Sequence, residues 1–251
     1  MILLYLFLFF LGACWGSFLN VLAWRVLHDK TLFTVRSYCP ACQKTIAFYD
    51  NIPVLSWFLL RGRARCCKNS ISFLYPLVEG VTGIVFVYLF LSLNPVLFPQ
   101  NTRYFFSYLV FFSALIAATR TDLESMLIPQ CFSLWLVPAG LLFSKIGFWQ
   151  SLIGATCGYG VLWLIAWSFE KTTGKQGLGE GDMEIAALIG SFLGVEGVWI
   201  SLSVGSMSGL IVGLTYLLIT RQTHATKIPF APFLALGAFS YYCYCSWFFG
   251  F

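Results

Sequence analysis

Eight apolar runs occupy most of the chain and leave it little choice but to fold as membrane-spanning helices. They cover roughly residues 2–24, 73–97, 104–119, 127–145, 147–169, 183–195, 197–219 and 228–250, most of them near the ~20 residues that cross a bilayer. Lipid offers no partner to backbone N–H and C=O groups, so spanning runs of this kind are read as helices. The stretch 183–219, roughly 37 residues at about 1.5 Å each, is too long for one crossing, and Val195-Glu196-Gly197 is taken as its break. With 59% hydrophobic and 10% charged residues, the composition excludes an ordinary soluble domain. The expected fold class is all-α: a polytopic membrane protein of about eight transmembrane helices. Its first helix is 1–24, a long polar loop follows over 25–72, and a seven-helix core fills 73–251.

The cations set the orientation. The 25–72 loop holds Arg25, Lys30, Arg36, Lys44, Arg61, Arg63, Arg65 and Lys68. With that loop in the cytoplasm, Arg120, Lys171, Lys175, Arg221 and Lys227 also fall inside, and only Arg103 and Lys145 fall outside. Positive residues gather on the cytoplasmic side, so both termini are expected outside. The same loop is the one basic surface, and it suits anionic lipid headgroups. No folded basic face for nucleic acid is present, and no nucleic-acid partner is expected. Leu11-Gly12-Ala13-Cys14 has the form of a lipoprotein cleavage box. The absent basic n-region and Asn20 inside the continuing apolar run favour an uncleaved anchor.

Against this background the carboxylates stand out. Asp122, in Thr121-Asp122-Leu123-Glu124, ends the third run, and Asp182, in Gly179-Glu180-Gly181-Asp182, opens the sixth. The orientation puts both at the cytoplasmic boundary. A carboxylate beside lipid is costly and so tends to be functional. Two on one side suit amide hydrolysis, in which one ionised carboxylate takes a proton from water and one protonated partner polarises the carbonyl. Neighbouring like charges do not both ionise readily, so such a pair shares a proton and titrates as a unit. The plainer reading has Asp122 capping the following helix and Asp182 its own. Glu124, Glu180 and Glu184 are expected at the wet interface. Glu79, inside the second run, is either a contributor to the active region or a buried hydrogen-bonded glutamate.

Of nine cysteines, Cys14, Cys131, Cys157, Cys243 and Cys245 lie in apolar runs as small core residues. Cys39, Cys42, Cys66 and Cys67 cluster in the loop, where a reducing compartment favours metal over disulfides. His28 is a further possible ligand. A structural zinc ion would order a loop that has little core of its own.

Blocks along the whole chain resemble the prepilin leader peptidases of type IV pilus and type II secretion systems. They are Gly16-Ser17-Phe18-Leu19-Asn20-Val21, Cys39-Pro40-Ala41-Cys42, Tyr49 through Trp57, and Tyr75-Pro76-Leu77-Val78-Glu79. Asp122 with Ile128-Pro129, Gly179-Glu180-Gly181-Asp182, and Ile228-Pro229-Phe230-Ala231-Pro232-Phe233-Leu234-Ala235 complete the set. The resemblance implies a bacterial inner-membrane enzyme that removes the basic leader of prepilins and pseudopilins at the cytoplasmic face. It also implies methylation of the new N-terminal amine from S-adenosylmethionine, although no residue is assigned to that cofactor. It makes Asp122 and Asp182 the catalytic pair. Gly179 and Gly181 would give the backbone close approach to substrate and positive φ. This chain departs from the family at two places. Ala64 stands where the second cysteine pair should begin, leaving Cys67 as its second member and Cys66 as a stand-in that would need a distorted local turn, and Glu184 stands where many members carry Lys. Two rival readings remain: a transporter or channel relaying ions through paired aspartates, and a non-catalytic pilus assembly factor.

Overall fold

The computed structural model describes residues 2–31, 38–39, 41–174, 177–220 and 228–249. Pro40 and the cations Arg36, Lys175, Arg221 and Lys227 of the orientation argument lie outside them. The described residues are helical apart from turns and two isolated bridges, so the all-α membrane class holds. Five of these helices are long and apolar enough to cross a membrane. The chain divides into two compact units, Met1–Leu91 and Ser92–Phe251.

In the first unit, α1 (Ile2–Leu27) pairs with α3 (Leu74–Leu93) through small residues. A Cβ on Gly12 would lie 2.5 Å from that of Phe86, and one on Gly16 would lie 2.8 Å from Cα of Glu79. Helices in lipid gain nothing from the hydrophobic effect against each other, so backbone proximity of this kind is what holds them. Asn20, the polar interruption in the first run, is buried and donates to the carbonyl of Tyr75 at 3.1 Å. Between these helices lies the loop, with the short α2 (Leu55–Leu59).

The second unit contains α4 (Thr102–Ser125), α5 (Val137–Phe143), α6 (Phe148–Thr173), α7 (Glu180–Thr220) and α8 (Ala231–Phe249). An aromatic core ties α4, α7 and α8 together. Phe111 stacks on Phe192 at 4.7 Å, and Tyr108 packs on Tyr242 at 4.8 Å, all four side chains being buried. The α6–α7 pair is closer still: Gly154 and Gly190 approach so nearly that a Cβ on either would lie within 2.2 Å of the other's carbonyl oxygen. α7 is bent where expected, but at Gly194 (φ 74°, ψ −173°), one residue before the predicted break.

The run 127–145 differs from expectation. It forms single 3-10 turns at Gln130–Phe132 and Leu134–Leu136, followed by the seven-residue α5. Met126 ends α4 in the left-handed conformation, and Pro129 and Pro138 prevent one continuous helix. α5 folds against α7, where Gly140 abuts Ser191.

Candidate active site and metal centre

Asp122 sits in the last turn of α4 and is 6% exposed. Its Oδ2 accepts the backbone N–H of Ala231 at 3.0 Å, and the N–H of Phe230 also reaches the carboxylate. Ala231 opens α8, whose first N–H groups have no partner inside the helix. Asp122 therefore caps a helix 109 residues away rather than the one that follows it. This contact also explains the chemistry of the Ile228–Ala235 block: its backbone turns a helix N-terminus toward the aspartate.

Asp182 lies in the first turn of α7, with its carboxylate hydrogen-bonded to the backbone of Gly179. Asp122 lies near enough for its charge to act on Asp182, so the two aspartates singled out by sequence share one electrostatic environment. Neither flanking glycine has positive φ, and only Gly181 is required for space. A Cβ on Gly181 would come 2.7 Å from Cβ of Ile128, whereas one on Gly179 would meet only Asp182 Oδ2, at 3.6 Å. Ile128 and Gly181 thus bring the two motifs into one packed contact.

The neighbouring glutamates divide. Glu180 is exposed, as expected, and Glu124 pairs with the buried Arg120 at 2.5 Å. Glu184 is not at the wet interface: it is 8% exposed and hydrogen-bonded to Ser133 and Gln130. An open pocket of about 320 Å³ reaches the dyad's flank, lined by Trp163 and Trp167 of α6 and by Leu178, Gly179, Glu180 and Met183.

In the first unit, two tight loops repeat one backbone pattern. In the first, Cys39 N–H bonds the carbonyl of Lys44, Gln43 N–H bonds that of Cys39, and Gln43 has φ 60°. In the second, Ala64 N–H bonds the carbonyl of Asn69, Lys68 N–H bonds that of Ala64, and Lys68 has φ 60°. Ala64 thus occupies the place of Cys39, and Cys67 that of Cys42. Cys66, at the place of Ala41, supplies the fourth sulfur, and the second loop needs no more distortion than its sister. The Cys42–Cys66, Cys39–Cys67 and Cys66–Cys67 sulfur separations are 3.3, 3.7 and 3.9 Å, and all four sulfurs lie within 4.8 Å of one another. A tetrahedral thiolate site with metal–sulfur bonds of about 2.3 Å has edges of about 3.8 Å. The cluster could therefore hold a metal ion. Burial opposes ionisation of Cys39, but hydrogen bonds from the backbone of Cys42 and Ala41 and from the Cys66 and Cys67 thiols bring it down to about 7. His28 is occupied elsewhere, with Nδ1 2.8 Å from the carbonyl of Trp24 and its ring stacked on that indole.

Glu79 is buried at 7% exposure and accepts the N–H of Val54 at 2.7 Å. Val54 has φ 62°, a conformation unfavourable for a β-branched residue, and this bond holds it there. Asp50 is paired with Arg65 at 2.9 Å, which ties the Phe48–Asn51 turn to the second cysteine loop.

Comparison with known proteins matches residues 10–93 to the bacterial peptidase A24 N-terminal domain and residues 109–214 to the type IV leader peptidase family. A prepilin leader peptidase/N-methyltransferase of Pectobacterium carotovorum is 36% identical, covering 90% of this chain and 88% of that protein. Those of Aeromonas hydrophila and Dickeya chrysanthemi are 39% and 32% identical, over 82% and 92% of this chain and 70% and 89% of theirs. No solved structure matches.

Proposed function

Since the chain belongs to the type IV leader peptidase family, we propose that it removes the leader from prepilins and pseudopilins by activating water between Asp122 and Asp182. The placement of Asp122 on a helix N-terminus, within electrostatic reach of Asp182, is the observation that supports this reading. The α8 N-terminus favours negative charge on Asp122, which makes it the base, and Asp182 holds the shared proton. Asp122 takes a proton from water as the oxygen attacks the scissile carbonyl, and Asp182 gives its proton to the carbonyl oxygen. On collapse the C–N bond breaks, the leaving amine takes the proton from Asp122, and Asp182 recovers its own. The substrate backbone would enter along the pocket lined by Trp163 and Trp167 beside Gly179. The site faces the cytoplasm of a bacterial inner membrane, and the substrate's hydrophobic helix enters from lipid.

Methylation of the new N-terminal amine rests on the relatives' name. S-adenosylmethionine would supply the methyl group, and no residue of this chain is assigned to that step. The cysteine cluster is read as a structural zinc site. Metal analysis of the purified protein is expected to give about one zinc per chain, and Cys66→Ala should lose it despite the intact Cys39–Cys42 pair. Full occupancy in Cys66→Ala would remove Cys66 from the ligand set.

The function is tested in proteoliposomes with a prepilin and S-adenosylmethionine, following the product by mass. Leader loss supports the peptidase, and a further gain of one methylene supports the transferase. Ion flux without cleavage would support the transporter reading, and inertness toward several prepilins would support the assembly factor.

A further inference from the structure

Glu184 is the charged side chain near the dyad whose setting the sequence did not foretell. Both its carboxylate oxygens are used: Oε2 accepts the Ser133 hydroxyl at 2.5 Å, and Oε1 accepts the Gln130 amide at 3.2 Å. Ser133 is fully buried at the junction of the two 3-10 turns, with φ −129° and ψ −90°. These turns belong to the connector that leaves Asp122 through the left-handed Met126, whose N–H closes on the Asp122 carbonyl at 2.9 Å. Glu184 lies on α7 two residues after Asp182. A few residues before Ser133, Ile128 of the same connector packs on Gly181. The segment following one aspartate is therefore fastened at two points to the helix that carries the other.

Resting on the dyad reading above, we infer that Glu184 is a positioning residue for leader cleavage, acting through Ser133 and Gln130 to hold α4's connector against α7 and so to fix the spacing of Asp122 and Asp182. Hydrogen bonding carries this role, not net charge. An apolar side chain of similar size would leave the buried Ser133 hydroxyl only the long contact to the Pro129 carbonyl at 3.5 Å, and a poorly paired buried polar group drives local rearrangement. An amide would keep the clamp, because its carbonyl accepts from Ser133 and its N–H can meet the carbonyl of a flipped Gln130 side chain.

The test is steady-state cleavage of a prepilin in proteoliposomes by wild type, Glu184→Leu, Glu184→Gln, Ser133→Ala and the Glu184→Leu/Ser133→Ala pair. Glu184→Leu is expected to lower kcat roughly 10- to 100-fold with KM little changed, the size of effect that a misplacement of about 1 Å produces. Glu184→Gln should stay within about threefold of wild type, and the double variant should be no slower than Glu184→Leu, because the two changes break one clamp. Wild-type kcat in Glu184→Leu, a loss confined to KM, or a Glu184→Gln as slow as Glu184→Leu would each overturn the inference. If Glu184→Leu does not accumulate in the membrane, Ser133→Ala carries the test, and wild-type kcat there has the same force. Inactive wild type would instead defeat the functional reading, and this inference with it.

Discussion

Asp122→Asn is expected to lower leader cleavage by roughly 10³-fold or more while leaving the protein folded. Asn cannot take the proton from water, and general acid–base groups contribute on the order of 10²–10⁴-fold. Its side-chain carbonyl can still accept the N–H of Ala231, which in the native protein lies 3.0 Å from Asp122 Oδ2. Asp122→Ala loses that acceptor too, so it should be equally inactive and also less stable, by about the 1 kcal/mol typical of a lost helix cap. Thermal unfolding in detergent, set beside the cleavage rate, separates the two roles. A slow Asn variant with wild-type unfolding assigns the loss to chemistry. If both variants cleave normally and only Ala is destabilised, Asp122 is merely a cap.

Gly181→Ala should be the most damaging change in the segments flanking the dyad that touches no ionisable group. The added methyl would lie 2.7 Å from Cβ of Ile128 and 2.9 Å from its Cδ1, and Cβ is not a flexible end that can swing aside. Either the connector or the first turn of α7 must move, and a shift of about 1 Å at a catalytic group costs on the order of 100-fold. Gly179→Ala is the control. Its methyl meets only Asp182 Oδ2, at an ordinary 3.6 Å, and neither glycine occupies a conformation that only glycine favours. Cleavage by Gly179→Ala should therefore stay within about tenfold of wild type. Equal losses at the two positions would point to substrate approach rather than to packing on Ile128.

The two contrasts show what could be read in the sequence and what could not. Asp122 and Asp182 were legible because carboxylates are scarce in this chain and both close or open apolar runs. The cysteine loop was legible as far as its four thiols, including the departure at Ala64. That Cys66 completes the cluster without unusual distortion depended on a repeated backbone pattern, visible only in hydrogen bonds such as Cys39 to Lys44 and Ala64 to Asn69. The run 127–145 reads as a span because its apolar content outweighs its two prolines, whereas at 14 residues the Gln130–Phe143 stretch is too short to cross alone. Glu184 looked like a surface charge because its partners are 51 and 54 residues away and are themselves unremarkable polar residues. The same distance hid the cap that Asp122 places on α8. No local pattern encodes a contact across 109 residues, although Val195-Glu196-Gly197 did mark the bend in α7, found at Gly194, to within one residue.

The central claim is that Asp122 and Asp182 work as one water-activating unit, and a double-mutant cycle tests it most directly. Leader cleavage is measured for wild type, Asp122→Asn, Asp182→Asn and the double variant under the same conditions. Groups that act as a unit are strongly non-additive, so each single variant should already fall to the residual rate and the double should be no slower. Losses that multiply in the double variant, or a single variant that cleaves at the wild-type rate, would contradict the account.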